Sequence, residues 1–460
     1  GVNIEEHTQL YSGVYWLNYV AEFFNLDFFL NYTSQYLKKF DDVDSLPDPS
    51  FYTYGPVFDI PTAFLDIIFN IEKSEFSFKF RHLLLFSIFY ISSVVVFKIL
   101  IERFNNFFVS FFGTMLYIFS PRIYGDSFHN NKDILFLSLV VFSIYYSFRI
   151  FKKKKLKNII LFALFSSMAT STRVAGLFLI CSLILFLFLE NLNSKDKTYH
   201  KIIVVSLILF FLFLYFHWPY MWENPLHSFI EYLNKTKIWI WKMGFLFNGE
   251  YIFSTSVPDY FIFLWVGISS PILNLILFIF GIFFISKRFF LRFLYVDKKV
   301  LSKYDFWRNK NEMKDVYIFF VLVTILTLLI FLNVPMANAW RHLYFLNFFI
   351  IYIATYFMMI LSLRFRKYKF WFFIFYFFLI PSIYKIIIFH PYQSLYINEL
   401  LTNQKKNSFQ IDREGISRLE SIFKIVSIEN DKEKQINIAN ASYLPYYRIN
   451  DALPNKIKKR

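Results

Sequence analysis

The chain has 460 residues, of which 57% are hydrophobic and 23% aromatic, with 66 Phe against only 11 Gly. That usage excludes an ordinary soluble domain, and apolar runs of about 17 residues or more, enough to cross roughly 30 Å of hydrocarbon, recur along it. The net charge of +16, from 49 Lys+Arg against 33 Asp+Glu, belongs in such a chain to cytoplasmic loops and not to nucleic acid. Backbone groups in lipid must pair within their own segment, so the spans are helices; the runs are too long and too uniformly apolar for barrel strands.

In chain order, the opening GVNIEEHTQLYSG has no Met and no apolar segment before it, so one further helix is expected ahead of Gly1. Glu5 and Glu6 then lie just outside that helix. A carboxylate at the lip of a membrane cavity can act as a general base toward a hydroxyl or amine; the alternative is a solvated loop carboxylate. Apolar runs predict spans near 82–100, 107–120, 133–149, 158–171, 174–190, 202–218, 258–286, 316–333, 343–363 and 370–388. The expected fold is thus an all-α polytopic membrane bundle of about ten transmembrane helices, eleven with the preceding one. Residues 1–81 form a first extracytoplasmic loop, 82–389 the helical domain and 390–460 a small extracytoplasmic α/β appendage. The sole cysteine, Cys181, lies within an apolar run and reads as a packing residue, with no internal disulfide or CxxC metal site.

The charges test this threading. KKKKLK (152–157), SKDKTYHK (194–201), the stretch from KRFFLR (287–292) and RFRKYK (364–369) all fall in alternate loops. Placing those loops inside puts the other set outside: the N-terminal segment, SPRIYGDSFHNNKD (120–133), HWPYMWENPLHSF (217–229) and NVPMANAWRH (333–342). The unusual polar residues therefore share the extracytoplasmic face.

In SPRIYGDSFHNNKD, Arg122 and Lys132 are suited to a phosphate, the first through a bidentate fork and the second as a point charge. His129, Asn130 and Asn131 can position hydroxyls. Asp126 and Asp133 can orient the cations, or bind a metal with His129. A plainer reading makes the segment a capped connector, with Ser120-Pro121 ending one helix and Asn131 or Asp133 starting the next. Arg173, in ATSTRVAG, occupies a two-residue break between apolar runs, where it either meets an anion or snorkels to the interface. Arg341 and His342 begin a helix on the same face, where a cation gains nothing from the helix dipole. WPYMW (218–222) reads as an interfacial aromatic anchor rather than a sugar platform.

The order of these blocks resembles the bacterial glycosyltransferase family 39-like proteins of the GT-C superfamily, relatives of protein mannosyltransferases and lipid A aminoarabinose transferases. GVNIEEHTQLYSG is similar to a G-x-x-W-D-E-x-x-Q-x-x-Y-G opening and YGPVFDIP (54–61) to a Y-G-G-L-F-D segment. SPRIYGDSFHNNKDILF is similar to S-P-R-x-x-G-x-x-F-N-N-x-K-D-x-P-F. ATSTRVAG, WPYMWENP, AWRHLYF (339–345), HPYQSLYIN (390–398) and FQIDREG (409–415) follow in family order. The resemblance implies a polyprenyl-phosphate sugar donor, an extracytoplasmic cavity in a bacterial plasma membrane, and no cofactor or metal. It makes Glu5 the base with Glu6 beside it, and draws donor-phosphate ligands from Arg122, Lys132, Arg173 and Arg341. Tyr54, Asp59, Asp126, His129, Asn130, Asn131, Asp133 and His342 fall in its substrate cavity. The acceptor is a lipid, glycan or protein. The sequence departs from the family at Glu5, where an Asp is usual, at the missing preceding Trp, and in DREG (412–415), which lacks Tyr-Trp. A transporter or polymerase-like protein for lipid-linked saccharides, or an inactive relative, are the competing readings.

Overall fold

The computed structural model describes residues 3, 5–41, 53–69, 71, 75–194, 196–237, 242–294, 306–337, 339–365, 367, 370–412, 414–429, 435–438, 453 and 457. The N-terminal region, expected as a loop, is largely helical: α1 (Glu5–Phe23), α2 (Asp27–Asp41) and α3 (Asp59–Ile68) pack together. Then come α4 (Glu75–Phe104), α5 (Phe107–Ile118), α6 (Pro121–His129), α7 (Asn131–Lys152), α8 (Leu156–Thr172), α9 (Leu177–Ser194), α10 (Thr198–His217) and α11 (Pro225–Lys237). A hairpin of β1 (Gly244–Phe247) and β2 (Glu250–Phe253) precedes α12 (Phe261–Ser269), α13 (Ile272–Leu294), α14 (Lys310–Phe331), α15 (Leu346–Arg364), α16 (Trp371–Phe377) and α17 (Ile380–Ile388). The described part of the C-terminal segment holds α18 (Asn403–Lys406) and α19 (Arg418–Ile428).

The protein is an all-α polytopic membrane protein. Seven helices among the described residues are long and apolar enough to cross a membrane, against the ten spans expected. The difference has local causes. The runs at 107–120 and 158–171 become α5 and α8, of 12 and 17 residues. The run at 258–286 still supplies one span, α13, but is broken at Ser270-Pro271, where Ser270 is extended (ψ 150°); proline disfavours the helical region for the residue before it and cannot donate to the preceding turn. The run at 370–388 is interrupted between α16 and α17, the latter carrying Pro381 in its first turn.

α7 is the most enclosed span, packed against α4 and α8. Its buried Ser138, Ser143 and Ser147 each return their hydroxyl to the carbonyl four residues back, so small side chains face neighbouring helices without an unmet donor. Cys181 is exposed on α9 and is not the packing residue expected. The only strands among the described residues are those of the hairpin, turned through Asn248 (φ 52°) and Gly249 (φ 88°), the pairing of positive φ values a two-residue turn needs. The C-terminal segment docks on this hairpin: Gln410 N donates to Leu246 O (2.9 Å) and Gly249 N to Ser408 O (2.9 Å). The strand expected beyond 403 does not occur among the described residues, and most of 430–460 lies outside them.

The charged groups gather in two places. At one end, Asp315 accepts a fork from Arg103 (2.7 and 2.6 Å), a bond from Arg288 (3.0 Å) and the Tyr352 hydroxyl (2.9 Å). Nearby loops add Lys154–Asp196 (2.6 Å), Lys310–Glu190 and Arg292–Glu312 (2.9 Å). These are the loops that the charge pattern assigned together. Asp315 is fully buried, and removing one partner of such a pair leaves uncompensated charge at a cost of about 3–5 kcal/mol. Asp315→Asn is therefore expected to lower the thermal midpoint of the detergent-solubilised protein markedly, read by intrinsic tryptophan fluorescence; an unchanged midpoint would show that the cluster is dispensable.

Candidate active site

The opposite end collects the N-terminus, α6, the start of α7, the break before α9, the segment before α15 and the C-terminal stretch. Asn3 caps α1. Its side-chain oxygen accepts from Glu5 N (2.9 Å), while Glu6 Oε1 accepts from Asn3 N (2.6 Å), the reciprocal arrangement of a capping box. Glu6 is further bound by His82 Nε2 (2.7 Å). Gly13 brings α1 onto α3: a Cβ there would lie 2.4 Å from the Asp59 carbonyl oxygen. The two acids of the opening motif thus have different surroundings. Glu6 turns back to its own helix; Glu5 turns outward.

Glu5 meets Arg341. The guanidinium of Arg341 donates through Nη2 to Glu5 Oε1 (2.5 Å) and through Nη1 to Glu414 Oε1 (2.6 Å), with Asp133 Oδ2 3.8 Å from its Nε. Asn3 Nδ2 holds the other Glu414 oxygen (2.6 Å). Asp133 is in turn bound by Arg173 (2.5 Å). Lys132 and Arg173 both face the Tyr54 ring, at 4.8 and 5.8 Å from its centre, a position where a cation meets the negative face of the ring.

The polar connector SPRIYGDSFHNNKD is a short helix followed by a cap. Ser120-Pro121 opens α6, and Asn130 caps α7 by accepting from Asp133 N (3.1 Å). Asn131 donates to Asp59 Oδ1 (2.8 Å), tying this connector to α3. Arg122 donates to the Tyr396 carbonyl (3.3 Å), with its guanidinium carbon 5.6 Å from the Trp265 ring centre. It lines a small cavity with Asp126, Tyr344, Asp412 and Glu414. Gly125 admits the turn at Gln393–Leu395, since a Cβ would come within 2.4 Å of Ser394 N. Arg122 and Arg341, both buried, and the partly buried Arg173 each keep a buried Nε with no hydrogen-bond partner.

Burial raises the Glu5 carboxyl, but the charge and hydrogen bond of Arg341, with Lys132 behind, outweigh it and leave it below its ordinary value. Glu5 is thus ionised at neutral pH. Glu414 is held high by burial and by the nearby charges of Asp126 and Glu5, against the pull of Arg341. Asp126 is also raised by burial, against the Tyr344 hydroxyl, Arg122 and Arg341. His342 is driven well below its ordinary value by burial and by Arg173 and Arg341, so its ring is neutral. Asp59 is pushed up to about 6 by burial, in part offset by Lys132, Arg81 and the bond from Asn131.

Of the residues singled out in the sequence, Glu5, Arg341, Asp133, Arg173, Lys132 and Tyr54 form one connected group, with His342 beside it. Asp59 and Asn131 form a pair joined to it. Asn130 caps the next helix; the plainer reading of the connector placed that start at Asn131 or Asp133, and the helix does begin at Asn131. Arg122, Asp126 and His129 lie on the side facing the C-terminal segment. Sequence reasoning missed Glu414, Asn3 and His82. Glu414 lies in the DREG block, whose resemblance marked the segment without marking the acid; Asn3 and Glu6 at the spacing N-x-x-E carried a capping signal. In WPYMW, Trp218 is fully buried edge-on against Tyr232, whereas Trp222 packs with Phe23 and Phe24.

The fold is that of a membrane bundle carrying a dense cluster of acids and guanidiniums at one end. Residues 60–217 match the family described as dolichyl-phosphate-mannose-protein mannosyltransferase. That match, confined to those residues, is to the GT-C type of membrane glycosyltransferase that the motif order resembles. The match includes Asp126, His129, Lys132, Asp133 and Arg173 and leaves Glu5, Arg341 and Glu414 outside it. No curated protein and no solved structure matches the chain.

Two outcomes are expected. Arg341→Gln, which strands Glu5 and Glu414 without a counter-charge, should lower unfolding stability by about 3–5 kcal/mol; Arg341→Lys should recover only part, because a point charge cannot bridge both acids as the fork does. Chemical denaturation of both variants measures this. The raised Asp59 adds stability that is complete below its ordinary value of 3.8 and is lost as pH rises through about 6. Asp59→Asn should therefore flatten the fall in melting temperature across that window while leaving the curve above it parallel to wild type.

Proposed function

We propose that the protein transfers a sugar, with inversion, from a polyprenyl-phosphate donor to a lipid, glycan or protein acceptor on the extracytoplasmic side of a bacterial plasma membrane. The observation that carries this reading is the set of buried guanidiniums with unmet donors around an ionised acid. Each guanidinium has capacity for an anion beyond the acceptors it already touches, and leaving a buried donor unmet costs about 1–3 kcal/mol. A phosphate supplies the missing acceptors.

Glu5 takes the proton from the acceptor hydroxyl or amine as that atom bonds to the anomeric carbon. The bond from that carbon to the phosphate oxygen breaks, and the polyprenyl phosphate departs with the electron pair. Arg341, Arg173 and Lys132 neutralise the charge that builds on the leaving phosphate, with Arg122 reaching from the far side of Asp126. Donors arranged in advance around such charge are the largest single contribution in many enzymes. Donor binding also prepares the base. A phosphate that draws on Arg341 weakens its hold on Glu5 and raises the basicity of that carboxylate. The longer Glu arm, where the family has Asp, suits this geometry because Glu5 has to reach across to Arg341.

Glu6 differs from Glu5 in capping α1, and the two variants separate the roles. Glu5→Gln is expected to lower kcat by about 10²–10⁴-fold in an assay with a labelled polyprenyl-phosphate sugar, with a smaller loss of melting temperature than Arg341→Gln because Arg341 keeps Glu414. Glu6→Gln is expected to lower the melting temperature first. Undiminished turnover in Glu5→Gln would overturn the assignment of the base.

A further inference from the structure

Asp126 and His129 lie one turn apart on α6, so both side chains project from the same face. Glu414 approaches that face from the C-terminal segment. One ligand atom from each of the three lies within 4.8 Å of the others, with His129 Nε2 3.7 Å from Asp126 Oδ1. Asp126 and His129 are almost wholly buried, and neither ring nitrogen of His129 has a hydrogen-bond partner; nor does Asp126 Oδ1. A packed core histidine normally donates from one nitrogen and accepts at the other. Here both are left over, beside a carboxylate oxygen that is also left over.

We propose that Asp126, His129 and Glu414 bind a divalent transition-metal ion, Zn²⁺ or Mn²⁺ in class. One imidazole nitrogen and two carboxylate oxygens make a ligand set suited to those ions, whereas Mg²⁺ and Ca²⁺ favour oxygen alone. Ligand atoms around a zinc ion at bonds of about 2.0–2.2 Å stand about 3.4 Å apart, so the present separations close on an ion through side-chain rotation. Burial has already set the protonation state. His129 is held neutral by its surroundings, chiefly burial, then His82 and Arg341, and neutral imidazole is the form that coordinates. The raised carboxyls of Asp126 and Glu414 give up protons when a dication replaces them. The site departs from the metal-free chemistry that the family resemblance implies.

The site also has a consequence for its neighbour, one that rests on the transfer reading above. Glu414 is shared with Arg341. An ion that engages Glu414 takes negative charge from Arg341 and leaves that guanidinium freer for a phosphate.

The test uses the full chain in detergent, stripped with a chelator and then given Zn²⁺, Mn²⁺ or Mg²⁺ alone. Bound metal is measured by elemental analysis after desalting, and stability by thermal unfolding. Wild type is expected to retain a single Zn²⁺ or Mn²⁺ and to melt at higher temperature with it, and Mg²⁺ to do neither. His129→Ala should weaken binding by more than about 100-fold, and Glu414→Gln, which keeps side-chain shape, should do the same should the alanine variant misfold. Failure of wild type to retain either ion, or retention undiminished in both variants, overturns the site. Neither readout involves sugar transfer, so this result and that of the Glu5 assay stand independently.

Discussion

The guanidinium of Arg341 holds the site end of this protein together. It is buried, and it joins three parts of the chain that are far apart in sequence: Glu5 of α1, Asp133 at the start of α7 and Glu414 of the C-terminal segment. A buried charge of this kind is tolerable only when paired and hydrogen-bonded. The pairing therefore sets where α1 and the C-terminal segment can dock. Without Arg341, the acids of both termini would face each other with no counter-charge between them.

Around that link the remaining contacts take separate tasks. The capping box of Asn3 and Glu6 fixes the first turn of α1, and Gly13 lets it settle on α3, which together aim Glu5 at Arg341. Asn131 and Asp59 tie the start of α7 to α3. Asp133 orients Arg173, and Tyr54 offers its face to Arg173 and Lys132. Positioning of this sort is what the proposed transfer would need, because misplacement by about 1 Å can cost roughly 100-fold in rate. The far end has its own linkage at Asp315.

Much of the fold was legible because its signals are local. A run of apolar residues long enough for lipid has to be helical, and alternating loops of Lys and Arg group its ends. Where the count of spans differed, the cause was also local but weaker: a break near Pro381 in one run, and two runs too short to cross. Those short helices survive because they pack inside the bundle, α5 against α4 and α15, and α8 against α7 and α10. The N-terminal 81 residues read as a loop because α1 has little apolar contrast and its helix is set by a cap and by tertiary packing. Cys181 faces outward because an apolar run does not say which of its sides meets lipid.

By itself the sequence determined that the chain crosses a membrane many times, which loops lie together at each end, and which motif blocks carry acids and cations. Tertiary structure alone decided their partners. Glu5 and Glu6 are neighbours of the same type, yet one faces a guanidinium 336 positions away and the other caps its own helix. Arg122 and Arg341 look alike in sequence, but only Arg341 is shared between acids. Glu414 entered the site unannounced. The physical reason is that ion pairing and desolvation depend on distance and burial in space, and residues brought together across hundreds of positions leave no periodicity or spacing from which that distance can be read.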